Sequence, residues 1–238
     1  MNKINNIIEF LDFVKQTKSN HERRNNNADL LFRGQNVDKP LIPNLGRKEK
    51  EPIIKNIAKL ENLILEEFKR GMLPLSEFKV ENDWDLIALA QHYGLPTRLL
   101  DWTYNPLVAL WFAIYNATDK NAVVWILNAQ VEDFVLDTDK ISPFELKEFK
   151  IFRPKVVSKR ISSQNAVFTI HYFNEKTYHF YEFEGLKDFK DKLIKLIIPS
   201  DSFINIRKEL SLLGINDYSV FPDMSGFCKH LERRFYKH

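Results

Sequence analysis

The segment Gln91-His92-Tyr93-Gly94-Leu95-Pro96-Thr97-Arg98-Leu99-Leu100-Asp101-Trp102-Thr103 packs amide, imidazole, phenol, hydroxyl, guanidinium and carboxylate groups between two apolar helical stretches. Simple packing does not call for so many donors and acceptors. Each one buried without a partner costs on the order of 1–3 kcal/mol. They are therefore either a closed polar network or a site. In the network reading, Arg98 pairs with Asp101 and His92 caps a helix end. A second polar group stands upstream, at Phe32-Arg33-Gly34-Gln35. An Arg leaving a strand offers a planar fork of donors that matches a carboxylate or a phosphate. Gly34 beside it would let a ligand approach the backbone. The structural alternative pairs Arg33 with Asp101 or another acid.

Other chemistries lack their residues. The chain has no G-x-x-x-x-G-K-[ST] loop, no G-x-G-x-x-G and no G-x-S-x-G elbow. No His/Cys set has zinc spacing, so no metal is expected. His171 and His179 fall on predicted strands and read as surface or core residues. The one cysteine, Cys228, has no His/Asn set to make it a nucleophile.

The elements that must position these groups follow from periodicity. Ile7, Ile8, Leu11 and Val14 predict a first amphipathic helix over 5–16. Leu30-Leu31-Phe32 begins a short strand that stops at Gly34. Ile53, Ile57, Leu60, Ile64 and Phe68 predict a long helix from about Pro52 to Arg70. Asn82 or Asp83 caps a helix that Gly94 and Pro96 end. Thr97 to Trp102 reads as a strand, and Asn105-Pro106 opens a strong helix holding Leu107, Leu110, Trp111 and Ile114. Further strands are expected at Ala122–Leu127 and, as a pair, at Ala166–Tyr172 and Thr177–Phe183. Residues 130–160 read as irregular, and Leu193 to Ile198 as a buried apolar run. Helices at Phe203–Leu213 and Ser225–Tyr236 close the chain.

Composition bounds the class. The chain has 238 residues, 44% hydrophobic and 28% charged, with 19 Phe, which is globular and not disordered. A formal charge of +3 is not the footprint of a dedicated nucleic-acid binder. A single cysteine excludes an intrachain disulfide and favours a reducing compartment. No apolar run is long enough to span a membrane, and the N-terminus has no signal-peptide pattern. The expectation is a cytoplasmic α+β protein of one domain over 1–238, with a central antiparallel or mixed sheet and flanking helices.

Leu31-Phe32-Arg33-Gly34-Gln35, the segment Gln91 to Thr103 and Asn105-Pro106-Leu107-Val108-Ala109-Leu110-Trp111-Phe112-Ala113 together resemble the FRG-domain family, named for its Phe/Tyr-Arg-Gly motif. Distal echoes are Arg160 to Thr169 and Val220-Phe221-Pro222-Asp223-Met224. Only about the first 25 residues, with the N-terminal helix, lie outside the resemblance. Toxin-type ADP-ribosyltransferases are more faintly similar. They have a strand ending in aromatic-Arg-Gly, a Ser/Thr-bearing strand with a helix after it, and a strand bearing a catalytic Glu. Here the third position offers Gln164, a departure, because a neutral amide stabilises an oxocarbenium-like transition state less well than a carboxylate. Glu182 and Glu184 are two later acids at a period of two.

This second resemblance implies NAD-dependent ADP-ribosyl transfer or NAD cleavage, in a toxin or anti-phage effector. NAD would be held by Arg33, Gly34, Gln35, Gln91, Tyr93, Thr97 and Arg98, with His92, Asp101 and Gln164 at the reacting centre. The acceptor, a protein or a nucleic acid, is left open, as is the oligomeric state. The alternative is a non-catalytic module of the same fold that binds a nucleotide, an RNA or a protein.

Overall fold

The computed structural model describes residues 2–22, 29–47, 52–75, 78–138, 140–155, 164–174 and 179–236. Seven strands form one mixed sheet: β1 (Asn2–Lys3), β2 (Asp29–Gln35), β3 (Leu99–Thr103), β4 (Ala122–Ala129), β5 (Lys150–Phe152), β6 (Ala166–Ile170) and β7 (Leu193–Ile198). Their order is β1-β7-β4-β2-β3-β6-β5. The β1–β7 pair is parallel and the other neighbours are antiparallel. With helices on both faces this is the expected α+β architecture.

The pairing of β2 with its two neighbours is uneven. β2 runs alongside β4 from Asp29↔Ala129 to Gln35↔Val123. Against β3 it shares a single position, Phe32↔Thr103. β3 in turn pairs along its whole length with β6. The sheet is thus split beyond Phe32, and Arg33 stands at the split.

Alternation assigns the two faces. Phe32, Val124, Ile126, Leu196 and Ile198 face a core built with α1 (Ile7–Glu22), α4 (Pro106–Ile114) and α6 (Phe203–Leu212). Leu31, Trp125, Leu100, Trp102 and Val167 face the opposite core with Phe149, Phe183 and Phe189, the last on the short helix α5 (Lys187–Lys190). A third cluster joins α2 (Ile57–Met72) and α3 (Asp83–His92) to Leu99, Phe168 and Ile170.

The helices start where local chemistry directs. Asn56, Asn82 and Asn105 each accept from a backbone N–H of the first turn, and Pro106 fills the first position of α4. Gly94 follows α3 with φ 85° and Gly214 follows α6 with φ 79°, the left-handed conformation that ends a helix. Val108, Ala109, Leu110, Trp111, Ala113 and Ile114 of α4 are all buried. Each large side chain among them contributes about 1.5–3 kcal/mol by leaving water.

Five expectations need correction. Residues 130–160 are not wholly irregular: Lys150–Phe152 is the edge strand β5. Leu193–Ile198 is a strand, β7, and not merely a buried run. Of the strand expected at Thr177–Phe183, the described part, 179–183, forms none. Residues 175–178 lie outside the described residues, and beyond them only an isolated bridge, Asn174↔His179, and a turn of 3-10 helix at Phe183–Gly185 remain. Phe183 opens that turn and is fully buried. The helix expected from about Pro52 starts only at Ile57, where Asn56 caps it, and Ile53 lies outside it and is fully exposed. Further on, a short helix, α7 (Asp217–Val220), precedes the last one, α8 (Met224–Phe235).

Candidate functional site

The split between β2 and β3 opens into a cavity of about 450 Å³. Its polar wall is made by Arg33, Gln91, His92, Asp101, Thr103 and Gln164. Its apolar wall is made by Phe32, Trp102, Ala109, Phe112, Phe168 and Phe221, with Ala166 and the backbone of Gly34 and Gly94. Sites for small molecules are typically cavities of a few hundred Å³, mostly apolar with a few convergent polar groups.

Each polar group reaches the cavity by a different route. Arg33 follows the one β2–β3 register pair, and its side chain fills the gap. Its Nη1 donates to the Asp101 carbonyl at 2.7 Å and lies 3.6 Å from the Asp101 carboxylate. Its Nε is buried and has no acceptor among the described residues. Burial lowers the Arg33 pKa to about 10, partly opposed by Asp101, so the group is still a cation at neutral pH.

Asp101 is more than half exposed. Its orientation comes from α3: Gln91 Nε2 donates to both carboxylate oxygens, at 3.1 and 3.0 Å. Thr97 in turn donates to Gln91 Oε1 at 2.7 Å and accepts from Leu99 N at 3.1 Å. The fully buried Thr97 therefore does not reach the cavity; it fixes the amide that fixes the carboxylate. Gln164 enters from the start of β6, and its Nε2 donates to the Val220 carbonyl at 3.2 Å. Thr103 Oγ1 donates to the Gln164 carbonyl and ties β3 to the same corner.

Besides Thr97, three more residues expected to hold the ligand stand elsewhere. Arg98 is buried on the α2 side, with Nη2 2.6 Å and Nε 2.7 Å from Glu61 Oε2, while Glu61 Oε1 accepts from Arg98 N at 2.9 Å. It is structural, and its partner is Glu61, not Asp101. Gln35 accepts from Trp125 Nε1 at 2.9 Å. Tyr93 is 60% exposed and lines no part of the cavity. Gly34 does line it, but its missing side chain serves another end. A Cβ there would lie 2.0 Å from the Ala109 carbonyl oxygen, so the glycine lets α4 close onto β2. Glu184 accepts from the backbone N–H of Leu41 and is not among the residues lining the cavity.

Sequence reasoning missed the aromatic wall and the layer behind Arg33. Phe112 and Phe221 pack edge-on at 5.9 Å. The two stand far apart in the chain, and nothing local shows that their segments meet. Behind the split, Trp102 Nε1 donates to Thr169 Oγ1 at 3.0 Å, which contacts His171 Nε2 at 3.0 Å. His171 is fully buried. Desolvation, reinforced by Arg33, lowers its pKa to about 3, so its ring is neutral. No group of three or more His, Cys, Asp or Glu among the described residues is arranged to hold a metal.

Residues 28–122 match the family model for the FRG domain. That stretch holds Arg33 and the whole Gln91–Thr103 segment, but neither Gln164 nor Phe221. No curated protein and no solved structure matches the chain.

Proposed function

From the premise that the chain carries an FRG domain, we propose that its split-sheet cavity binds NAD and breaks the bond between nicotinamide and ribose. The observation that carries this reading is convergence. Arg33, His92, Asp101 and Gln164 come from four separate elements and line one cavity. Arg33 is a largely buried cation whose Nε is a donor to spare, suited to the pyrophosphate. His92 and Gln91 border the ribose and nicotinamide. Asp101 is the one carboxylate among the lining residues described, so it takes the part that Gln164 cannot. Its charge faces the ribose carbon as positive charge develops there. Gln164 donates from Nε2 to Val220 and keeps its side-chain oxygen, Oε1, for the substrate.

In the reaction, the C–N bond to nicotinamide breaks and its electron pair leaves with the ring. Water, or a nucleophile on an acceptor, bonds to the ribose carbon and loses a proton. The products are nicotinamide with ADP-ribose or an ADP-ribosylated acceptor. An effector of the toxin or anti-phage kind fits such chemistry, and the acceptor would be a protein or a nucleic acid.

A second reading has its own support. Arg33 Nη1 is already bound to Asp101, and no Glu lines the cavity among the described residues. A module that binds a nucleotide without cleaving it needs no more than this. The test is incubation of the protein with labelled NAD, alone and with cell extract, scoring free nicotinamide and label transfer. Under the enzyme reading the wild type releases nicotinamide, and Asp101→Asn does so far more slowly. Arg33→Lys keeps the melting temperature but weakens NAD binding, because a point charge does not reproduce the fork. NAD binding without nicotinamide release favours the binding module. A fall in melting temperature with unchanged binding makes Arg33 structural.

A further inference from the structure

A second cavity, of about 570 Å³, lies between α6, α7 and α8. Arg207 and Lys208 come from α6, and His230, Arg233 and Arg234 from α8. The sole carboxylate among its described lining residues, Asp217, pairs through Oδ2 with Arg233 Nε at 3.2 Å, while its Oδ1 is buried without a hydrogen-bond partner. That pair holds Arg233 in place; Arg233 also reaches the Tyr115 carbonyl at 3.5 Å and lies over the Tyr115 ring. Arg207 is fixed by donating to the Ile114 carbonyl at 2.9 Å. The lining thus carries four full cations against one acid, with two of the cations preset by the fold. Burial lowers the pKa of Arg207, and the nearby Arg233 lowers it further. Like charges gathered at a wall repel one another, a cost that an anion relieves.

Besides the uncharged polar Ser211 and Asn216, the rest of the wall is apolar or aromatic, from Trp111, Ile204, Ile215 and Tyr236. Inorganic phosphate would use only the cations, whereas the volume and the apolar surface suit a nucleoside attached to them. We infer that this cavity binds a nucleoside phosphate, with Arg207, Lys208, Arg233 and Arg234 on the phosphate and the Trp111–Tyr236 side against the base. The ligand is a free nucleotide or the phosphorylated end of a nucleic-acid strand, which present the same groups. The site stands apart from the NAD reading, though α7 joins the two cavities: Asp217 begins that helix, and the Val220 carbonyl at its end holds Gln164.

The test is calorimetric titration of the full chain carrying Arg33→Lys, which weakens nucleotide binding at the first cavity. The probes are the four nucleoside 5′-monophosphates, a 5′-phosphorylated tetranucleotide RNA and inorganic phosphate. At least one nucleotide or the RNA should bind, with affinity falling as salt rises. Lys208 and Arg234 are exposed, so Lys208→Gln/Arg234→Gln should fold as the parent does. It should bind on the order of tenfold more weakly or worse, since each lost contact is charge-assisted. Tighter binding of the mononucleotide supports a free nucleotide, and tighter binding of the RNA supports a strand end. Failure of every nucleotide and the RNA to bind the parent overturns the inference. Unchanged affinity in the double variant does so too, as does inorganic phosphate binding as tightly as the nucleotides.

Discussion

Replacing Gly34 with Ala should be one of the most damaging single-methyl changes in this protein. The added Cβ would lie 2.0 Å from the Ala109 carbonyl oxygen and 2.5 Å from Ala113 N. Ordinary contact begins near 3.4 Å, so strand and helix must separate by more than an ångström. Both obstructing atoms are backbone atoms of α4, so no side chain can swing aside. Val108, Leu110 and Ile114 of that helix are 2%, 0% and 1% exposed, so moving it opens the core on that face of the sheet. Overpacking a tight core costs typically 1–3 kcal/mol, and the upper end or beyond applies when backbone must move. For a chain of this size, about 3 kcal/mol lowers the melting temperature by roughly 6–12 °C. The assay is thermal and urea unfolding of the variant beside Gly71→Ala. A Cβ at Gly71 meets nothing within 4 Å, and in a helix Ala gains roughly 0.5–1 kcal/mol over Gly. Gly71→Ala should therefore melt at or above the wild type. If Gly34→Ala melts with the wild type, the close approach of β2 and α4 is wrong.

Glu61→Ala leaves the buried Arg98 guanidinium without its partner and should cost about 3–5 kcal/mol in urea unfolding; a loss under about 1 kcal/mol would mean that the pair is not buried as described. Trp111→Ala removes a side chain only 4% exposed that stacks on Tyr115 at 4.2 Å, and should cost roughly 3–5 kcal/mol by the same measurement. His171 is held neutral, with its pKa lowered from 6.5 to about 3. As pH falls below 6.5 the unfolded chain takes up a proton that the folded chain refuses until about 3. Stability from this group is therefore complete above 6.5 and is lost toward pH 3, at up to about 1.4 kcal/mol per pH unit. The urea midpoint of His171→Phe should fall less steeply between pH 7 and 5 than that of the wild type, and equal slopes would remove His171 as the cause.

Much of this protein was legible before folding. The Asn105-Pro106 start of α4 and the stop at Gly94 depend on neighbours within a few residues, and they stand where spacing placed them, as do Ile57, Leu60, Ile64 and Phe68 of α2, though Ile53 falls outside that helix. So does the concentration of polar groups from Gln91 to Thr103, because a short segment cannot scatter its own members far. What each group does was decided by partners distant in the chain. Arg98 and Asp101 are close enough in sequence to suggest a pair, but an extended chain sends residues three apart to opposite faces. Arg98 therefore met Glu61 on α2, and Asp101 met Gln91 and Arg33. Gly34 gave no hint whether a ligand or a helix would take the space that its side chain leaves. β5, three residues long, is too short to show alternation and exists because β6 offers it an edge. The cavity itself follows from one feature of register, the single β2–β3 pair at Phe32↔Thr103. Strand pairing over that distance is set by how whole faces pack, and no local pattern encodes it.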